Sequence, residues 1–399
     1  MKDNEKLDLV LERFYQRFNK FNTKVLKKIG ESIKEIGKVS PSEAYQLGQQ
    51  LKHGIEINNL LKELSKISGQ SVLDVDKLLD NVAKENVDFA EKYYKAKNKE
   101  FVPYEDNEEL QRYVNTIKKE TYGTFKNIAK STGVGFTFKD KNDNTIFKPF
   151  KKAYRDIIDE AVYNVTSGVK DYQSAMRSSI NAIADSGVKI HESSVQYKSG
   201  YNRRIDTSVR QNILEGVRKV NIGIQERIGD EIRADGVEIS VHFPCAEDHL
   251  DVQGRQYTKK EFERVNDNLD RPIGTYNCRH FIFSIIMGID EQQYSDNALF
   301  KMKQRNNETV EYEGKTYNKY EATQLQRQLE TEIRKQKDRQ IIARSSSDNV
   351  GVDKAQHKIS ALTQKYNEFS KLADLPTYKN RMSVTGYKRV AKSKLKWYN

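Results

Sequence analysis

The sequence predicts a mainly helical α+β protein: an N-terminal helical bundle, a small central α+β domain with short strands, and long C-terminal helices ending in a basic tail. Three observations lead there. Apolar residues recur at helical spacing over most of the chain. Strict apolar/polar alternation, the mark of a strand with one buried face, is confined to a few short runs. The composition is 36% hydrophobic and 32% charged, against an apolar share of roughly 45–50% in ordinary globular domains. Such a chain suits bundles and elongated shapes better than one large core. Its 399 residues are enough for two or three domains of about 100–200 residues.

The N-terminal region, 1–132, is read as helices. Leu7, Leu11, Phe14, Phe18, Phe21, Val25, Ile29, Ile33 and Ile36 share one face of a helix over 5–37. The aromatic stripe reads as core, with a grip on a partner as the other option. Ser40-Pro41-Ser42 breaks that helix and caps the next. Helices over 41–53, 56–69 and 71–96 follow, then a Val102-Pro103-Tyr104 linker and a helix over 108–132.

The central domain, 133–290, opens with a hairpin. Val134, Phe136 and Phe138 alternate, the polar run 139–144 turns, and Thr145-Ile146-Phe147 returns. Helices over 150–167 and 171–185 flank Gly168, and 187–190 is a short strand. A helix over 205–236, with a break near Gly229, begins among Arg203, Arg204 and Arg210. Cations there oppose the helix dipole, so these three are candidates for contact with an external anion, beside the plainer reading of a solvated face.

The stretch 237–288 holds both cysteines and three of the six histidines. Val237, Ile239, Val241 and Phe243 alternate as a strand that Pro244 stops. Cys245 and His249 are four apart, one helical turn. Gln253-Gly254-Arg255 reads as a turn, and Thr258 with Glu261 as the capping box of a short helix. Cys278 and His280 are two apart, on the same face of a strand running to Met287. Cys245, His249, Cys278 and His280 thus form a Cys₂His₂ set of the kind tetrahedral zinc takes; no other cofactor is suggested. The alternative is a small core of buried cysteines and hydrogen-bonded histidines. A third reading makes Cys278 a nucleophile with His249 or His280 as base and Asp248 or Asp251 as orienter. A fourth has Glu247, Asp248, His249 and Asp251 holding a divalent ion for phosphodiester chemistry.

The C-terminal helical region, 291–377, comprises a helix over 290–305, a hairpin over 311–317 turning at Glu313-Gly314-Lys315, and a charged helix over 320–343. That helix has a narrow seam of Ala322, Leu325, Leu329, Ile333 and Gln336. A last helix, 352–373, ends before Pro376. The tail, 378–399, carries seven cations and no acid: Lys379, Arg381, Lys388, Arg389, Lys392, Lys394 and Lys396. With Trp397 and three tyrosines interleaved, it suits contact with DNA through phosphates and stacking; the alternative is a solubilising tail. A net charge of +12 favours an anionic partner in either case. No run of eighteen apolar residues offers a membrane span, and the N-terminus has no signal-peptide core. Two cysteines make no disulfide framework, so a reducing cytoplasm or a particle interior is expected.

The segment VEISVHFPCAEDHLDVQGRQY, followed after an insert by YNCRHFIFSIIMGI, resembles the phage minor capsid protein 2 family. It is similar, more distantly, to the Mu gpF-like minor head proteins. The shared features are His242, Asp248-His249, Gln253-Gly254, Tyr257 and Asn277-Cys278-Arg279-His280, and the similarity covers most of 150–345. In many relatives another residue stands where Cys245 does, which counts against a four-ligand metal site. The resemblance implies a structural, low-copy head component, not an enzyme, that joins the particle with the portal during head assembly and contacts or accompanies the DNA. Its implied partners are the portal protein, the major capsid protein, packaged DNA and further copies of itself. Its implied place is the virion, at the capsid interior or portal vertex, after the host cytoplasm during assembly. Two other classes stay open: a virion-carried enzyme centred on Cys278, His249 and His280, and a non-specific DNA-binding protein, for which no helix-turn-helix or finger motif stands out.

Overall fold

The first helix, α1 (Asn4–Ile36), buries the whole stripe from Leu7 to Ile33. Phe14, Phe18 and Phe21 are therefore core, packed inward and not offered to a partner. The computed structural model describes residues 4–36, 43–130, 133–166, 172–190, 204–275 and 278–396. The expected breaks at Ser40-Pro41-Ser42 and Gly168 lie outside them.

Where three helices were expected, one runs unbroken: α2 (Glu43–Ala96), 54 residues long. Ile57, Leu60, Leu64, Val75, Leu79 and Val82 are buried along it, so one helical phase carries through. Gly54 and Gly69 meet nothing within 4 Å of a hypothetical Cβ. Each costs only about 1 kcal/mol relative to alanine, too little to stop a helix packed over this length. After a 3-10 turn at Tyr104–Asp106, α3 (Glu108–Ile128) starts at Asn107, whose side chain accepts the Leu110 N–H at 3.0 Å.

The hairpin forms as β1 (Val134–Lys139) and β2 (Thr145–Pro149). Next come α4 (Phe150–Thr166), α5 (Tyr172–Ser186) and β3 (Lys189–Ile190). The sheet is antiparallel in the order β2-β1-β3, and Phe136 stacks on Phe150 with ring centres 5.7 Å apart. The central helix, α6 (Ile205–Glu231), packs on α1, α2 and α3 through Val209, Ile213, Val217, Val220 and Ile224. It stops short of the expected residue 236. Arg233 turns to positive φ, and the Ala234 N–H donates to Gly229 O at 2.7 Å, closing the last turn. Gly223 is required where α6 crosses α3: an added Cβ would fall on the Tyr113 hydroxyl.

The second sheet rests on the end of α6. Its strands are β4 (Gly236–Ile239) and β5 (Gln256–Thr258), followed by α7 (Lys259–Asp267) and then β6 (Ile282–Ile285). They pair antiparallel in the order β5-β4-β6. The capping box of Thr258 and Glu261 is present. Ser284 Oγ donates to Gln225 O at 2.7 Å, tying β6 to α6.

The remaining elements are α8 (Asp296–Asn307), β7 (Thr309–Tyr312), β8 (Lys315–Asn318), α9 (Lys319–Ser345) and α10 (Asn349–Leu372). α9 pairs along its length with α10 and also lies on α1 and α5. Of the expected narrow seam Ala322, Leu329, Ile333 and Gln336 are buried and Leu325 half-buried, but Gln326, Glu330, Asp338 and Gln340 are buried too. α9 has neighbours on several sides, and its polar side chains are partnered inside: Gln340 Nε2 donates to Gln356 Oε1 at 3.0 Å, for example. The tail runs back over α1 and α10. Met382 and Val384 are buried, and the Thr385 N–H donates to Asn19 Oδ1 at 2.8 Å. One hydrophobic cluster runs from Leu7 to Val384, drawing on the N-terminal, central and C-terminal segments alike. Among the described residues no helix is long and apolar enough to cross a membrane.

Candidate metal centre and basic surface

β4 and β6 bring the two halves of the Cys/His stretch together. His249 ends a 3-10 turn, Glu247–His249, beyond β4; Cys278 and His280 lie on the segment leading into β6. One ligand atom from each of His249, Cys278 and His280 lies within 4.8 Å of the others. Cys278 Sγ is 3.5 Å from His280 Nδ1, and the His249 and His280 ring centres are 5.0 Å apart. His249 and His280 are buried; Cys278 is half-buried.

The hydrogen bonds fix the tautomers. Gln253 Oε1 accepts the backbone N–H of His242 at 3.1 Å, so that atom is an acceptor. His280 Nε2, also 3.1 Å from it, must then be the donor, and the His280 lone pair is on Nδ1, facing Cys278. His249 Nε2 donates to Arg271 O at 2.7 Å, and its lone pair likewise falls on Nδ1.

Cys245 is outside this group. It is fully buried beside Gln253, whose amide donates to its sulfur, and burial with Asp248 nearby pushes its thiol up to about 12. Its N–H donates to Asn306 Oδ1 at 3.1 Å. Of the four residues expected as ligands, three converge and Cys245 stands apart, touching the Gln253 that orients His280. Both cysteines are free thiols. His242, which spacing did not single out, stacks on His280 with centres 4.3 Å apart, and its Nδ1 is buried without a hydrogen-bond partner. Burial, with Arg279 next, pushes His242 down to about 4; burial, with His242 and His249 next, pushes His280 down to about 2. Both imidazoles are neutral at ordinary pH. The Asn277 of the expected box lies outside the described residues.

A family model described as phage minor capsid protein 2 matches residues 3–371. The chain belongs to that family. No curated protein matches it, and no solved structure does. As a phage minor capsid protein it is a structural constituent of the virion. The match runs from α1 to the last turn of α10 and leaves the whole basic tail, 378–399, outside.

The cations expected to meet a partner separate into two groups. Arg204 is not a surface residue. Its Nη1 is 2.7 Å from Asp338 Oδ2 and its Nε is 3.6 Å from Asp206 Oδ1, all three buried, with Arg334 on the far side of Asp206. Two acids on α6 and α9 draw it inward, so the apparent conflict with the helix dipole is answered inside the protein. Arg210 is half-buried, and Arg203 lies outside the described residues. Lys388, Arg389, Lys394 and Lys396 are exposed. Trp397 lies outside the described residues, and so does the side chain of Lys392. The tail that carries the exposed cations is pinned: the Val390 N–H donates to Gln356 Oε1 at 2.9 Å, and Lys394 closes a 3-10 turn.

Proposed function

We propose that this minor capsid protein joins the portal and the inner face of the head during assembly and meets packaged DNA through its basic tail. The exposed, backbone-pinned cations Lys388, Arg389, Lys394 and Lys396 carry the reading. They stand on a net charge of +12 and on a body whose apolar stripes are used internally, which leaves a charged outside for its contacts. Fixed cations neutralise phosphates without first being ordered, and the attraction is independent of sequence. In this reading the helices are a rigid spacer and the protein's contribution is structural.

The test has two arms. Binding of the full chain to duplex DNA is measured against salt, beside a variant with the four cations changed to glutamine. A steep loss of affinity with salt is expected, with a slope that flattens by about 0.9 per lost phosphate contact. An unchanged slope in the variant would remove the tail from the interface. Co-expression with portal protein should yield a joint complex that the variant retains. Separate elution of the two proteins would overturn the portal half.

A further inference from the structure

The geometry points to a zinc site formed by Cys278 Sγ, His280 Nδ1 and the His249 imidazole. The distances agree with it. With Zn–S near 2.3 Å and Zn–N about 2.0–2.1 Å, tetrahedral angles put a thiolate and an imidazole nitrogen roughly 3.6 Å apart; Cys278 Sγ and His280 Nδ1 are at 3.5 Å. The same bond lengths put the centres of two imidazoles on one zinc roughly 5 Å apart; His249 and His280 are at 5.0 Å. The three donors already lie within 4.8 Å of one another, so closing on an ion needs shifts of about an ångström.

The surroundings are those of ligands. A metal-bound histidine gives its other ring N–H to a fixed oxygen, and both do so here, to Gln253 Oε1 and to Arg271 O. Each acceptor is held from elsewhere: Gln253 by the His242 N–H, Arg271 by its place in the backbone. Asp248 Oδ2 lies 3.6 Å from His249 Nε2 and offsets the charge left when one thiolate meets a divalent ion. One sulfur with two imidazoles is a borderline-soft set that suits zinc over magnesium or calcium. His242 is not among the donors that converge within 4.8 Å, which leaves the fourth position to water on the side of half-buried Cys278. The ion would fasten the turn at His249 to the segment entering β6. This corner has reason to need a fastening, since its own apolar cluster holds four buried residues: Val237, Ile239, Val252 and Ile273.

The test is elemental analysis of the full chain purified without chelator from zinc-supplemented cells, with Cys245→Ser, Cys278→Ser and His280→Ala beside it. About one zinc per wild-type chain is expected, kept in C245S and lost in C278S and H280A. A wild-type chain without zinc, full retention in C278S, or loss in C245S would overturn the site. Because C278S could fail to fold, the wild-type chain is also loaded with cobalt(II). A tetrahedral spectrum with a thiolate charge-transfer band supports the assignment, and a spectrum without thiolate overturns it. None of these readouts depends on portal or DNA.

Discussion

Asp338 is fully buried on α9 and faces Arg204 across 2.7 Å. Replacing it with alanine strands a buried guanidinium, a loss of about 3–5 kcal/mol. Urea unfolding should show that drop for Asp338→Ala. The double change Arg204→Met with Asp338→Leu should recover only part of it, because buried Asp206, 3.6 Å from the guanidinium, is then left with Arg334 alone. Neither partner was legible as such. Arg204 was recognisable only as a cation at a helix start, and Asp338 only as one charge among many on a hydrophilic helix. Their meeting depends on the start of α6 reaching one side chain of α9, 134 residues further along the sequence. The Cys/His corner was more readable, since both pairs sit on local elements. Cys245 was misplaced because its four-residue spacing from His249 presumes an α-turn, and the turn there is 3-10. Gln253 could be read only as part of a turn, since its role emerges once β4 and β6 pair.

At the scale of elements, helices were legible wherever a single apolar face is buried, as in α1 and α3, and so was the capping box that starts α7. α2 was divided wrongly because the propensity of glycine weighs heavily in a local reading and lightly against a packed face of 54 residues. The distinction can be measured. Gly54→Ala and Gly69→Ala should each stabilise the protein by about 0.5–1 kcal/mol, since alanine is the better helix former and its methyl group meets nothing there. A rise in melting temperature for each checks this. A fall would mean that the helix bends at these points. The burial of Gln326, Glu330 and Gln340 on α9 had no signature, because a polar residue with an internal partner looks the same in sequence as one facing water.

For the whole molecule, two lysines record how the C-terminal part closes over the rest. Lys337 donates to Met382 O at 2.6 Å and lies over the Tyr387 ring; burial pushes it down to about 8. Lys189 is likewise pushed down to about 8, by burial with Arg204 next. Unfolded lysines titrate near 10.4. Between about pH 8 and 10 the unfolded chain therefore holds more protons than the folded one, and stability rises with pH across that window. Chemical denaturation should show the rise, and Lys337→Met should flatten it. An equal slope in that variant would mean that Lys337 is solvated. The composition announced the basic charge but not this closure. The tail was read only as a DNA-contacting or solubilising segment; it is docked because Asn19 and Gln356, far away in sequence, bond its backbone.

Gly30 of α1 fits against Ser345 and Ile342 of α9 so closely that a methyl group there would collide with both. That contact fixes an order of events during synthesis. α1 cannot complete its seat until α9, some three hundred residues further on, has been made, a delay of about fifteen seconds to a minute at usual elongation rates. Until then the side of α1 that faces α9 stands uncovered, while α2, α3 and α6, made earlier, can already close over its other side.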